Sequence, residues 1–196
     1  MHRLSGSLIL GYHGCDRRVA EKLLADPDEP FTISANDYDW LGEGIYFWEA
    51  NPLRGLEFAK ERHARDEIDI PTVIGAAIEL GYCLDLMTST GAQAVVLAFA
   101  DFRAYCESAE VELPSNRLGP DRLLRKLDCA VVNHLHGIRS KADLPAFDTV
   151  RGSFQEGGEL YTGSGFSKKS HIQVCVRNLA CIKGVFRVSS TQLKPI

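Results

Sequence analysis

Two glycines followed by a run of aromatic residues restrict the fold of this chain more than any other feature. The segment at 41–49 reads LGEGIYFWE. Successive side chains of a β-strand point to opposite sides of a sheet, so Ile45 and Phe47 share one face and Tyr46 and Trp48 share the other. We expect one face to pack into the core and the other to present a flat ring to a flat ligand. Taken alone, the segment is more typical of a plain core strand.

Two further segments carry polar groups at the ends or on the faces of predicted strands. The first is YHG at 12–14, where a histidine ends a buried strand and Gly14 lets a ligand approach the backbone. The second is SHIQVCVR at 170–177, in which Gln173 alternates with aliphatic residues and points away from them. Alone, these are more typical of an ordinary histidine and of an edge strand with a solvated amide.

Hydrophobic periodicity and turn residues predict a mixed α+β chain that forms one domain over residues 1–196. Predicted strands are 8–12, 45–48, 72–80, 82–86, 172–177 and 182–188. Predicted helices are 17–24 after an Asp16 N-cap, 52–65 with Pro52 near its first position, 91–107 and 121–136. We expect 31–44 to be an irregular loop. The polar stretch 139–170 is predicted to be a long connection, which in a compact domain is functional or mobile.

Charge and cysteine usage narrow the class of protein. Lys plus Arg total 22 and Asp plus Glu total 26, so the net charge of −4 gives no global basic surface for nucleic acid. No apolar run reaches the length of about 18 residues that a membrane helix needs, and we expect no signal peptide. None of the six cysteines forms a C-x-x-C pair. Free thiols in a reducing cytoplasm, and no metal site, are therefore expected.

Taken together, the three segments resemble the ADP-ribosyltransferase superfamily, in its diphtheria-toxin and poly(ADP-ribose) polymerase branch. The matching motifs are YHG at 12–14, GEGIYF at 42–47 and IQVCVRNLACIKGVF at 172–186, in the same order and at similar spacing. The resemblance covers both ends of the chain. It implies an ADP-ribosyltransferase-like fold, with split mixed or antiparallel sheets and flanking helices around an NAD cleft.

The resemblance also implies a role for individual residues. His13 would hydrogen-bond the hydroxyls of the NAD ribose, and the backbone of Gly14 would bind the nicotinamide carboxamide. Tyr46 would stack on the nicotinamide ring, with Phe58 on the following helix as the second aromatic. These roles are chemically reasonable, because a carboxamide needs one donor and one acceptor and a flat ring gains dispersion energy between aromatics.

The chain departs from the family pattern at two positions. Gln173 stands where many members carry a glutamate, and Arg54 lies near the position of a family serine. A glutamine keeps a hydrogen bond to the ribose but cannot act as a general base, which argues against polymer elongation. Glu156 and Glu159, in the loop before this strand, are candidates for the missing carboxylate. Ordinary solvated loop charges are the alternative for both.

Two short polar segments are candidates for the adenosine end of NAD. Ser34 and Asn36, with Asp39, precede the aromatic strand, where this superfamily often contacts adenosine. Arg17 and Arg18 follow the YHG motif and are candidates for a phosphate contact. Solvated loop and helix charges explain the two arginines more simply.

The function implied is mono-ADP-ribosyl transfer from NAD to a macromolecular acceptor, which is protein, RNA or DNA. Small transferases of this kind are often bacterial toxins or phage-defence effectors, for which an antitoxin is an expected partner. A non-catalytic NAD or ADP-ribose-binding module and an NAD glycohydrolase toxin are the alternatives. RNA 2′-phosphotransfer uses a related fold but requires more histidine and arginine in the pocket than this chain places there.

Overall fold

A computed structural model describes residues 8–117 and 123–194 of the chain. Within these residues it has four α-helices and nine β-strands. The strands are β1 (Leu8–Asp16), β2 (Ile45–Glu49), β3 (Pro71–Glu79), β4 (Cys83–Asp85), β5 (Asn116–Arg117), β6 (Leu124–Arg125), β7 (Thr149–Phe154), β8 (His171–Val176) and β9 (Ile182–Arg187). The helices are α1 (Arg17–Ala25), α2 (Pro52–His63), α3 (Ser89–Ser108) and α4 (Lys126–Lys141).

Seven strands form one mixed sheet in the order β4-β7-β8-β2-β1-β3-β9, and β5 and β6 pair separately. All neighbours in the large sheet are antiparallel except β4 and β7, which are parallel. The predicted α+β class is confirmed. The expected split into separate sheets is wrong, because β1 and β2 pair, at two positions, and join the seven strands into one sheet.

The sheet is covered on both faces. On the α1 face, Ile45 and Phe47 pack with Val174 and Val176, and a neighbouring cluster seats α1 on β1 and β3. On the opposite face, the α2–α4 face, buried residues of α3 and α4 pack on β7 and β8. The sequence prediction that Ile45 and Phe47 share one side is therefore confirmed.

Capping residues fix where the first two helices begin. Asp16 is the N-cap of α1, as predicted, and its second carboxylate oxygen accepts the backbone N–H of Ile70 at 3.0 Å. Asn51 caps α2 by accepting the N–H of Arg54, and Pro52 occupies the first turn, where its missing N–H costs nothing. This cap places Arg54 one turn into α2, directly after the aromatic strand.

Three boundaries differ from the sequence predictions. β1 runs to Asp16 because β3 pairs with it along its whole length, so His13 lies inside the strand and not at its end. The stretch 139–170 contains the end of α4 and the unpredicted strand β7, whose arginine, serine and glycine interrupt its apolar pattern. Helix α4 begins at Lys126 and ends at Lys141; residue 121, the predicted start, lies outside the described residues.

The chain between β7 and β8 is a folded arm. Glu159 and Ser167 form an antiparallel bridge, and Leu160 and Phe166 are joined by a backbone hydrogen bond of 2.8 Å. Leu160, Tyr161 and Phe166 are more than half exposed at its tip. Within residues 8–117 and 123–194, no helix has the length and apolar character that crossing a membrane requires.

Candidate functional site

β1 and β2 separate immediately after two paired positions. Gly11 pairs with Glu49 and Tyr12 with Trp48, whereas residues 13–16 pair only with β3. Cross-strand partners point to the same face of a sheet, so Tyr12 and Trp48 both lie on the α2–α4 face. The separation opens one edge of β1 from residue 13 onward.

The main-chain groups of Gly14 point into this opening. The carbonyl of Leu10 accepts the N–H of Ala50 at 2.8 Å, which shows that the even-numbered residues of β1 direct their backbone groups toward β2. Continuing the register past Tyr12 would place Gly14 opposite Tyr46, but that pair is not formed. One donor and one acceptor of Gly14 therefore face the gap between the strands.

His13 occupies the beginning of the gap. Its Nδ1 lies 2.8 Å from the carbonyl oxygen of Tyr46, and its ring contacts Phe31 and Phe47 on the α1 face. A carbonyl can only accept, so Nδ1 carries the hydrogen and Nε2 is left as an acceptor. Burial lowers the pKa of His13, and the charge of Arg62 acts in the same direction, so the ring is neutral near pH 7.

The hydroxyl group of Tyr46 makes two hydrogen bonds, one as a donor and one as an acceptor. The hydroxyl donates to the carbonyl of Gly42 at 2.6 Å and accepts the N–H of Leu41 at 2.9 Å. Burial raises the pKa of Tyr46 well above its ordinary value of 10.0, so the phenol keeps its proton. Gly44, with φ of +155°, leaves no room for a side chain beside Cys175, which explains the second glycine of the motif. Tyr46 thus fixes the glycine turn.

Phe58, the predicted second aromatic of the nicotinamide pocket, packs against Trp48. Its centroid is 4.9 Å from that of Trp48, on the α2–α4 face. The indole Nε1 of Trp48 and the Nε of Arg54 are both buried, and neither has a hydrogen-bond partner among the described residues. The guanidinium of Arg54 lies 5.7 Å from the centre of the Trp48 ring. Two buried N–H donors therefore lie close together beside β2.

Arg54 is buried at 6% exposure and is surrounded by carboxylates. Its guanidinium nitrogens lie 3.3 Å from Glu61, 3.5 Å from Glu156 and 4.0 Å from Glu57. Lys169 also pairs with Glu61, at 2.9 Å. Glu156 is itself 6% exposed, which rules out the interpretation of this residue as a solvated loop charge.

Gln173 lies on β8, next to a buried histidine. Its side-chain nitrogen is 3.2 Å from Nε2 of His171, and its backbone is in register with Trp48 on β2. Nδ1 of His171 donates to the carbonyl of Lys169 at 2.8 Å. Burial, together with the charge of Arg54, lowers the pKa of His171 to about 4. β8 is an interior strand and Gln173 is 8% exposed, so the interpretation of a solvated amide on an edge strand is wrong.

The remaining predicted residues have local roles. Ser34 donates to Asp39 at 2.8 Å and Asn36 donates to Ser34 at 2.9 Å, so these polar groups order their own loop. Glu159 accepts the N–H of Gly163 in the exposed arm. Arg18 pairs with Asp69 on the surface, where its side chain is 79% exposed, and Arg17 is also exposed. None of these side chains contacts the His13–Tyr46 pair in the described structure.

A cavity of about 430 Å³ lies on the α2–α4 face, between α3, α4 and β7. Arg125 lies 4.2 Å from the centre of the Trp40 ring in its wall, and Trp40 stacks on His171 with centroids 6.3 Å apart. His13, Tyr46 and Gln173 do not line this cavity. It adjoins the buried polar group through His171 but does not include the opening between β1 and β2.

No model of a protein family, no curated protein and no solved structure matches the chain. Within 8–117 and 123–194, no three His, Cys, Asp or Glu side chains are grouped to hold a metal ion. All six cysteines are free thiols and buried.

The structure brings together some predicted residues and separates others. His13 and Tyr46 are in contact across the β1–β2 gap, but His13 lies on the α1 face and Gln173 on the opposite face. Arg54 and His171 were not predicted as site residues. The sequence indicated these two residues only indirectly. Arg54 lies near the position of the family serine, and His171 precedes Gln173 by two residues and therefore shares its face of the strand.

Proposed function

We propose that this chain is an NAD-dependent mono-ADP-ribosyltransferase with an ADP-ribosyltransferase-like fold. The observation that carries the proposal is the unpaired edge of β1, where the N–H and C=O of Gly14 face the gap beside His13 and Tyr46. A primary carboxamide offers one acceptor and two donors, so a single backbone residue complements it. Nicotinamide is such a carboxamide on a flat ring.

The groups around the gap suit the rest of the substrate. The neutral His13 ring leaves Nε2 as an acceptor for a ribose hydroxyl. The half-buried ring of Phe58, packed on Trp48, offers apolar surface on the opposite side of the sheet. The unpartnered donors of Trp48 and Arg54 fit the oxygen-rich sugar and phosphate portions of NAD, because buried N–H groups without partners cost about 1–3 kcal/mol each.

Local charge favours the chemistry of glycosidic cleavage. As the bond between C1′ of the ribose and N1 of nicotinamide breaks, positive charge develops on the sugar, as in glycoside hydrolysis. Near Trp48, the cations Arg54 and Lys169 face the three carboxylates Glu57, Glu61 and Glu156. Carboxylates held beside the sugar stabilise a developing cation, and fixed charges do so most effectively where water is excluded.

Gln173 supports transfer of a single ADP-ribose unit. Its amide can orient the ribose but cannot remove a proton, so repeated elongation is not expected. The acceptor is proposed to meet the exposed arm between β7 and β8, whose tip presents Leu160, Tyr161 and Phe166. The buried free thiols fit a reducing, cytoplasmic setting. A role as a toxin or phage-defence effector with an antitoxin partner stays a prediction.

Incubation with NAD labelled in the adenylate tests the proposal, with protein, RNA and DNA supplied separately. Nicotinamide release with label on a macromolecule is the expected result. Release with only free ADP-ribose identifies a glycohydrolase instead, and binding of NAD without any release identifies a non-catalytic module.

The same assay with His13→Ala tests the site. We expect kcat/KM for nicotinamide release to fall about 10–100-fold, since each lost 1.4 kcal/mol of binding energy lowers the constant tenfold. His63→Ala is the matched control, because Nδ1 of His63 also bonds a main-chain carbonyl, that of Ile68 at 3.0 Å, but on the exposed end of α2. Equal activity of the two variants would show that the site lies elsewhere.

A further inference from the structure

The cavity between α3, α4 and β7 has the size and lining of a small-molecule site. Its volume of about 430 Å³ lies within the range of roughly 300–1,000 Å³ that is typical of ligand pockets. Val95 and Phe99 of α3 and Val131 of α4 supply apolar walls, while Gly152 of β7 adds no side chain. An apolar molecule enclosed by these elements would be largely removed from water, which favours its binding.

One positive charge lies in the wall of this cavity. The guanidinium of Arg125 stands over two rings of the lining, 4.2 Å from the centre of Trp40 and 5.1 Å from the centre of Phe154. Attraction between the cation and the ring faces holds the guanidinium in place. Arg125 also pairs with Asp128 at 3.4 Å, but the Asp128 side chain is 39% exposed, and exposed ion pairs contribute little to stability. A carboxylate that enters the cavity therefore replaces Asp128 at low cost.

A main-chain donor of β7 lies on the same wall. The carbonyl of Arg151 accepts the N–H of Leu86 at 2.8 Å, so the odd-numbered residues of β7 direct their main-chain groups toward β4. The pairing of β4 with β7 goes no further than Arg151. Ser153 is the next residue of β7 with this orientation, and it lines the cavity. Its N–H thus faces the cavity beyond the end of β4.

These groups favour one chemical class of ligand. The apolar and aromatic walls suit a flat hydrocarbon ring, and carboxylate oxygens accept from both a guanidinium and a main-chain N–H. An extended peptide suits the cavity less well, because strand addition depends on several main-chain hydrogen bonds. β7 ends at Phe154 and offers one residue, Ser153, beyond β4. A free small molecule is therefore the better occupant.

We propose that the cavity between α3, α4 and β7 is a binding site for a small aromatic carboxylate. The site is separate from the gap between β1 and β2, since His13, Tyr46 and Gln173 do not line the cavity. This inference does not depend on the proposed function.

Titration of the ¹⁵N-labelled full chain with 2-naphthoate tests the site. The chain has two tryptophans, so the indole N–H resonance of Trp40 reports on the cavity and that of Trp48 is an internal reference. We expect saturable shifts at the Trp40 indole and at the amide of Ser153, with Trp48 unchanged. The alcohol 2-naphthylmethanol has a similar shape and no charge, and it should bind about tenfold more weakly because hydrogen bonds to charged groups are stronger.

Substitution of Arg125 tests the role of the cation. Arg125→Gln should lower the affinity for 2-naphthoate about tenfold and leave that for 2-naphthylmethanol within about twofold of wild type. Arg139→Gln is the matched control, because its guanidinium also lies over a ring, 4.4 Å from the centre of Phe147, but outside the cavity. Arg139→Gln should bind both probes as wild type does.

A larger side chain in the wall tests the cavity itself. Val131→Phe should fill part of the space and abolish binding of both probes, with thermal unfolding as the check that the variant is folded. If Val131→Phe fails to fold, the comparison of Arg125→Gln with Arg139→Gln decides the proposal.

Three results would overturn the inference: shifts at Trp48 without shifts at Trp40, equal affinities for the two probes, or equal losses of affinity in Arg125→Gln and Arg139→Gln. Saturating NAD should leave the affinity for 2-naphthoate unchanged, and mutually exclusive binding of the two would show that the site is not separate. The titration requires neither NAD nor turnover, so failure of the proposed function would leave its result valid.

Discussion

Nδ1 of His13 lies 2.8 Å from the carbonyl oxygen of Tyr46, where pairing between β1 and β2 has just ended. In a continuous antiparallel ladder that carbonyl would accept the N–H of Gly14. The imidazole takes the place of the glycine, which satisfies the carbonyl and leaves the backbone of Gly14 directed into the gap. A side chain of β1 thus replaces a strand hydrogen bond and holds open the position that we propose for nicotinamide.

Buried neutral histidines should make the fold sensitive to acid. Burial lowers the pKa of His13, of His136 to about 3 and of His171 to about 4, from 6.5 in the unfolded chain. As pH falls below 6.5, the unfolded chain binds protons that the folded chain does not, so the free energy of unfolding decreases. The decrease should approach about 1.4 kcal/mol per pH unit for each histidine. Urea unfolding between pH 7 and pH 5 measures it.

A single substitution tests this assignment. His136 lies on α4, and its Nε2 is buried without a partner among the described residues. In His136→Gln the slope of the unfolding free energy against pH should be smaller by about 1.4 kcal/mol per pH unit, which corresponds to one proton fewer taken up on unfolding. An unchanged slope would mean that His136 is not a neutral buried group in the folded protein.

Gly14 should be intolerant of any side chain. A methyl group there would collide with the carbonyl oxygen of Gly55 on α2, so Gly14→Ala should cost about 1–3 kcal/mol of stability, as overpacked positions do. Gly137→Ala is the control, because that glycine lies on the exposed side of α4 with open space around it. It should gain about 0.5–1 kcal/mol from helix propensity. Thermal unfolding of both variants measures these changes in stability. A Gly14→Ala protein as stable as wild type would mean that α2 does not pack closely on β1.

Trp48→Phe should separate ligand binding from folding. The change removes an indole N–H that has no described partner, so the unfolding free energy should stay within about 1 kcal/mol of wild type. NAD affinity, measured calorimetrically, should fall about tenfold if that N–H serves the substrate. Trp40→Phe removes an indole that donates to the carbonyl of Leu123 at 2.9 Å, so it should lose stability and keep NAD affinity. The reverse pattern would contradict the assignment.

Arg54 should be essential to the fold near the site. Arg54→Met leaves Glu156 buried without its guanidinium, and breaking a buried ion pair usually costs about 3–5 kcal/mol. Combining Arg54→Met with Glu156→Gln should cost clearly less than the sum of the single changes, because each single change already removes the attraction between the two charges. Chemical denaturation of the three variants measures the coupling, and strictly additive losses would show that the two side chains do not interact.

Local pattern sufficed to predict much of the fold. Alternation placed Ile45 and Phe47 on one face, and the Asp16 and Asn51-Pro52 signals located the starts of two helices. β7 was missed because Arg151, Ser153 and Gly152 interrupt its apolar residues. Their places in the strand depend on partners elsewhere in the chain, since Arg151 pairs with Glu49 at 2.6 Å across the sheet.

The site was less predictable, because its parts meet only through tertiary contacts. The YHG and GxGIYF motifs predicted His13, Gly14 and Tyr46 as site residues from short-range sequence, and the structure places His13 against the carbonyl of Tyr46. The contact between Arg54 and Glu156 joins residues 102 positions apart, and no local pattern reports it. Phe58, predicted as the second aromatic beside the nicotinamide ring, packs against Trp48, and this contact between α2 and β2 is likewise tertiary.

The amide resonance of Gly14 gives the most direct test of the proposed NAD site. A ¹⁵N-labelled sample titrated with NAD reports each backbone N–H separately, and the exposed Gly184 serves as an internal reference. We expect the Gly14 resonance to shift saturably, and its exchange with solvent to slow, while Gly184 stays unchanged. An unmoved Gly14 resonance at a concentration of NAD that saturates other shifts would contradict the proposal that the gap between β1 and β2 binds nicotinamide.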